Sequence, residues 1–138
     1  MAAEKNRAEA LRWLRAADDD LKTADVLKKA GQFAHCCFHS QQAAEKALKA
    51  VLYDRDADPW GHSVAKLLGS MRDITGTAVD QTRHAHALVL DRFYVPTRYP
   101  NGLPELSPDE AYGATDAETA LLYGREIVGW AKTMMETR

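Results

Sequence analysis

Apolar residues recur at intervals of three and four along most of this chain, a period that predicts helices almost end to end. Over residues 5–29, Leu11, Leu14, Ala17, Leu21, Ala24 and Leu27 or Val26 form one stripe. Arg12, Arg15, Asp18, Asp19, Lys22 and Asp25 fall mostly on the other side, and Gly31 supplies a stop. A second helix is predicted over residues 33–53, with the stripe Phe33, Cys37, Gln41, Ala44, Leu48, Val51 and Leu52. Gln41 stands where an apolar residue is expected. The opposite face carries His35, His39, Gln42, Glu45, Lys46 and Lys49, with Glu45 and Lys49 ordered for an i,i+4 ion pair.

A turn-rich linker over residues 54–61 follows. Ser63 can cap a third helix bearing Val64, Leu67, Leu68, Met71 and Ile74, which Gly76 closes. A fourth helix is predicted over residues 79–94. Four of the chain's five prolines fall in residues 95–108, so that stretch cannot be regular helix or interior strand. Ser107 with Glu110 and Thr115 with Glu118 form two capping-box patterns, the second opening the last helix. No segment alternates with period two. The expected architecture is all-α, an up-and-down antiparallel bundle of four to five helices in one domain spanning residues 1–138.

Length and composition agree with a chain that buries its own core: 138 residues, 46% hydrophobic and 28% charged. A net charge of −2 excludes a broadly basic nucleic-acid-binding surface but not a local basic cleft. Cys36 and Cys37 are adjacent, point about 100° apart on a helix, and read as reduced buried thiols. With a charged N-terminus and no long apolar run, the expectation is a cytoplasmic protein without a membrane span.

Several motifs fail on inspection. His35 and His39 have a metal-like i,i+4 spacing but no third ligand. Asp54, Asp56 and Asp58 begin like a calcium loop, yet Pro59 and Ala65 occupy the positions that need glycine and a carboxylate. Asp18, Asp19 and Asp20 fan around the helix axis and read as a solvated face. No metal and no cofactor is expected. Two features remain. Gln42, Glu45, Lys46 and Lys49 share a helical face, which reads either as solvated ion pairs or as two ammonium groups projecting together. Arg98 and Tyr99, between Pro96 and Pro100, suit either a phosphate contact with an aromatic stack or a loop brace in which Arg98 pairs with an acid.

Together these residues resemble the HEPN family, the higher eukaryote and prokaryote nucleotide-binding domains. The resemblance is carried by residues 17–27, the run from Phe38 through Gln41, Gln42, Glu45, Lys46 and Lys49 to Ala50, and Gly61-His62-Ser63 with Leu67-Leu68. It continues through residues 90–94, Thr97-Arg98-Tyr99-Pro100 and the helix start at Asp116-Ala117-Glu118. It implies a helical bundle, usually a homodimer, often encoded beside a minimal nucleotidyltransferase in arrangements resembling toxin–antitoxin pairs. It also implies, for many members, a metal-independent ribonuclease motif of Arg, four to six residues, then His near the start of the last helix. Here no histidine follows Arg98, and the Arg55–His62 spacing falls in the second linker. The chain is therefore expected to be a non-catalytic module that binds a nucleotide, an RNA or a nucleotidyltransferase partner. Its expected site residues are Arg98 on phosphate, Tyr99 packing or stacking, Lys46 and Lys49 adding charge, and His62, Gln42 and Glu45 beside them. The alternative is a ribonuclease toxin using His62 with Arg98 or Arg55.

Overall fold

A computed structural model describes residues 1–137. All regular structure in it is helical: α1 (Ala2–Lys29), α2 (Phe33–Asp54), α3 (Val64–Thr75), α4 (Gln81–Asp91), the single-turn α5 (Pro108–Ala111) and α6 (Ala114–Glu136), with a 3₁₀ turn at Pro100–Gly102. The contacts give the directions. Arg7 near the start of α1 donates to Asp54 at the end of α2 (3.0 Å) and to the Met135 carbonyl late in α6 (3.0 Å). Lys132 pairs with Asp18 and Arg125 with Asp25. So α1 runs antiparallel to both α2 and α6. Arg83 and His86 of α4 meet Glu126 and Tyr123 of α6 in reversed order, so α4 also opposes α6. The rods α1, α2, α4 and α6 are thus up-and-down, as expected from the sequence, and α3 lies within the α2-to-α4 connection.

α1 and α2 meet through small residues. Ala10, Ala17 and Ala24, one every second turn of α1, are fully buried, as are Ala43, Ala44, Ala47 and Ala50 of α2. This turns α1 slightly from the stripe read in the sequence: Leu11 is 49% exposed and Val26 64%, while Leu14, Leu21 and Leu27 pack at the margins of the alanine seam. α2 and α6 cross where Gly124 faces Ser40; a Cβ on Gly124 would sit 3.0 Å from the Ser40 carbonyl oxygen. Flanked by α1 and α6 along its length, and by α3 and α4 over part of it, α2 is buried nearly all round. On its second face Glu45 and Lys49 are therefore interior, while His39, Gln42 and Lys46 are half-buried and His35 is exposed.

Capping explains most boundaries. Gly31 takes φ +79°, and the Gln32 N–H returns to the Leu27 carbonyl (2.8 Å), closing α1. Ser63 caps α3 by accepting from the Lys66 N–H (3.1 Å). Asp91 adds a distant cap, accepting from the Val64 N–H (2.6 Å) and the Ser63 hydroxyl (2.7 Å), which ties the end of α4 to the start of α3. α4 is shorter than residues 79–94 because Asp80 caps it, accepting from the Arg83 N–H, and because the chain tightens into three-residue turns after Asp91. Ser107 and Glu110 form the predicted box on α5. α6 begins earlier than the Thr115 pattern suggests. The Asp116 carboxylate accepts from the Gly113 N–H (2.9 Å), which places Thr115 inside the helix.

Candidate functional site

Gln41, the polar residue on the apolar stripe of α2, is fully buried and organises one end of the site. Its amide donates to the His62 carbonyl (2.9 Å) and to Glu45 Oε1 (3.2 Å), and its own oxygen accepts from Gln42 Nε2 (2.8 Å). Glu45 is 4% exposed, and its carboxylate also accepts from Lys49 Nζ (3.2 Å) and lies 3.3 Å from His62 Nδ1. One buried carboxylate thus serves an amide, an ammonium and an imidazole, and the buried amide holds the backbone of the linker that presents that imidazole. The His62 ring stacks on Tyr94, with centroids 4.5 Å apart and planes 16° from parallel.

Tyr94 links this end to the proline-rich loop. Thr97 is fully buried and its hydroxyl donates to the Phe93 carbonyl (2.5 Å). Arg98 Nε donates to the Tyr94 carbonyl (2.8 Å). Both side chains fold back on the end of α4 and fix the loop. The Arg98 guanidinium then lies among three rings: 4.4 Å from the Phe38 centroid, 4.7 Å from Tyr94 and 5.1 Å from Tyr99. Tyr99 itself is 50% exposed. Among the described residues no carboxylate forms an ion pair with Arg98, so the acid-paired brace considered for the loop is absent. Arg98 also lines a cavity of about 220 Å³ with Gly31, Gln32, Phe33 and Ala34 at the start of α2, and with Pro108 and Asp109 of α5. The first turn of α2 carries no acidic residue and no side-chain cap.

Phe38 continues the site toward α1, edge-on to His39 at 5.4 Å. His39 Nδ1 lies 3.1 Å from Asp20 Oδ1, and Lys46 Nζ donates to Asp20 Oδ2 at 2.7 Å. Asp20, 8% exposed, is no part of a solvated acidic face; it lies three residues after Ala17 and four before Ala24, on the buried side of α1. Burial alone would push its carboxyl up, but hydrogen bonds and charge from His39 and Lys46 outweigh this and hold it below the ordinary value of 3.8. A lowered folded pKa stabilises the fold above the unfolded value and stops doing so as pH falls through the folded one. Acid melts of the wild type should therefore lose stability below about pH 4, and Asp20→Asn should flatten that limb, as denaturant midpoints from about pH 6 to 2 would show.

The structure brings most of the expected residues into one belt along α2: Arg98, Tyr99, His62, Glu45 and Gln42. Lys46 and Lys49 join it as the partners of Asp20 and Glu45, which leaves Arg98 as the belt's cation without an ion pair among the described residues. Arg55 is held elsewhere, donating to the Met134 carbonyl of α6 (3.3 Å). Phe38, His39, Tyr94 and Asp20 complete the belt and lie outside the set expected from the sequence. Tyr94 carried a usable signal, lying one helical turn before Arg98. Cys36 and Cys37 are free, buried thiols whose pKa values burial raises, as their adjacency suggested. His35 is exposed, and among the described residues no group of three or more potential ligands is arranged to hold a metal. No helix of the described residues is long and apolar enough to cross a membrane.

An up-and-down bundle whose central helix carries a buried polar network, closed by an arginine–aromatic loop, defines a compact helical domain. The HEPN domain model matches residues 10–134, and the chain belongs to the HEPN family. Among solved structures it is similar to TT1696 from Thermus thermophilus, with 34% identity and a TM-score of 0.86 over 91% of this chain and 97% of that one. It is also similar to ST0689, an archaeal HEPN homologue, with 32% identity and a TM-score of 0.78 over 91% and 97%. An HEPN domain protein of Thermotoga maritima, tm0613, matches at 33% identity with a TM-score of 0.72 over 91% and 98%. No curated protein matches the chain.

Proposed function

We propose that the chain is a non-catalytic HEPN-type binding module in which Arg98 holds a phosphate group of a nucleotide. The observation that carries this reading is the state of Arg98. Its Nε is fixed on the Tyr94 carbonyl, three rings confine its plane, and no carboxylate among the described residues neutralises it. A guanidinium held this way keeps its terminal N–H groups for a bidentate acceptor, and phosphate is the anion that matches them. The uncapped start of α2 on the same cavity favours an anion in the same place. Calorimetric titration with nucleoside diphosphates is the direct test: no heat with any of them would end the nucleotide reading.

A homodimer paired with a minimal nucleotidyltransferase, in a toxin–antitoxin-like system, is the biological setting proposed for this module. It rests on the family resemblance. Co-expression with a small nucleotidyltransferase from the neighbouring reading frame, followed by copurification, tests it, and separate elution of the two chains would remove it.

A specific observation favours a second reading, that of a metal-independent ribonuclease. His62 and Arg98 lie against the same tyrosine, and Glu45 stands at His62 Nδ1. With Nδ1–H donated to Glu45, Nε2 can take the proton of a 2′-hydroxyl as its oxygen attacks phosphorus. The P–O5′ bond breaks, the 5′-oxygen leaves with a proton from water, a 2′,3′-cyclic phosphate remains, and Arg98 neutralises the phosphate charge. Under this reading RNA is cut in the presence of a chelator, and His62→Ala lowers the rate at least about 100-fold. Intact RNA after prolonged incubation with the wild type would exclude it.

A further inference from the structure

Trp60 is 81% exposed, although burying an indole would stabilise the fold by about 2 kcal/mol or more. The other two tryptophans are engaged: Trp13 packs 5.3 Å from Tyr53, and Trp130 lies 4.4 Å under the Arg83 guanidinium. Trp60 has no ring or hydrogen-bond partner among the described residues. Its segment is nevertheless anchored on both sides. Ala57 N–H donates to the Leu52 carbonyl (2.9 Å), and the His62 carbonyl accepts from buried Gln41. Pro59 precedes Trp60, and Gly61 follows it with φ +82°, so the backbone around the indole is set by one restricted and one left-handed position.

The segment ends at His62, which is stacked on the tyrosine that also touches Arg98. Two residues of extended chain reach at most about 7 Å, so the backbone of Trp60 lies within that distance of His62, at the end of the Arg98–Tyr94–His62 row of flat groups. We propose that Trp60 is the base-stacking residue of this site: it takes the nucleobase of the nucleotide whose phosphate Arg98 holds. This rests on the phosphate reading above and adds the other end of the ligand. Stacking needs only an aromatic face, so the inference names a nucleobase and not a particular base.

The experiment compares wild type, Trp60→Ala, Trp60→Phe and Arg98→Ala by calorimetry against ADP, GDP, CDP, UDP and inorganic pyrophosphate. The exposed position of Trp60 leaves the fold intact, which circular dichroism verifies. Trp60→Ala should weaken the nucleoside diphosphates about 5- to 150-fold, leave pyrophosphate unchanged, and be largely rescued by Trp60→Phe. Arg98→Ala should weaken all five probes. Equal affinity of Trp60→Ala and wild type for every nucleoside diphosphate, with Arg98→Ala impaired, overturns the stacking role and leaves the phosphate site standing. Loss in Trp60→Ala with no change in Arg98→Ala does the reverse. A wild type that binds none of the four nucleotides overturns both.

Discussion

Glu45→Ala is expected to lower the unfolding free energy by about 3–5 kcal/mol, the range for removing one partner of a buried ion pair. Both members are deep: the Glu45 side chain is 5% exposed and that of Lys49 11%. Without the carboxylate, Lys49 keeps an ammonium inside the bundle, 5.8 Å from the Trp13 ring, which compensates only part of its lost hydration. Gln41 loses one of its two acceptors, whereas His62, 57% exposed, can turn to water. The melting temperature should fall by roughly 10–20 °C for a chain of this size. The double variant Glu45→Leu with Lys49→Met should recover most of the loss, because replacing both charges by apolar groups of similar volume removes the stranded ammonium. Denaturant melts of the three proteins decide the matter. A cost under about 1 kcal/mol for Glu45→Ala would show that Lys49 swings out to solvent on its long stem, and the buried-pair account would then fail.

Which of these features the sequence discloses depends on what a one-dimensional pattern encodes. Helix positions are legible because a helix shows its period to any reader, and the glycine stops at Gly31 and Gly76 and the serine cap that starts α3 at Ser63 act through local backbone geometry. The short α4 is less so, since Asp80 and the tightening after Asp91 compete with an apolar stripe that runs on to Phe93. Burial of the second face of α2 is not legible at all from its own pattern. Gln42, Glu45, Lys46 and Lys49 look like a solvated face, and only the presence of α1 on that side turns the inner two into interior charges. Asp20 shows the same limit from the other helix. It reads as part of an acidic run, and its partners His39 and Lys46 lie 19 and 26 residues away. Gln41 is the exception: a polar residue on an apolar stripe signals a buried hydrogen-bond network before the partner is known.

Arg98→Ala is expected to weaken binding of pyrophosphate and of nucleoside diphosphates about 10- to 150-fold, the equivalent of losing charge-assisted hydrogen bonds worth about 1.5–3 kcal/mol. The same substitution also removes the contacts of the guanidinium with Phe38, Tyr94 and Tyr99 and the Nε bond to the Tyr94 carbonyl. A modest stability loss of about 1–2 kcal/mol therefore accompanies it under any reading. Affinity and stability have to be separated, and Arg98→Lys separates them. Lysine keeps the positive charge and part of the contact with the rings but loses the planar fork, so it should bind phosphate more weakly than wild type and more tightly than alanine. Raising the salt concentration should narrow the gap between wild type and Arg98→Ala, which lacks the charge, more than that between wild type and Arg98→Lys, which keeps it. A loop brace shares the lower melting temperature of Arg98→Ala but predicts unchanged titration curves and no salt-dependent difference. The distinction matters because the loop is already fixed by buried Thr97 and its bond to the Phe93 carbonyl. With that anchor in place, the loop does not depend on Arg98 alone. Among the described residues its guanidinium gains no ion pair to offset its desolvation, and a phosphate ligand would supply one.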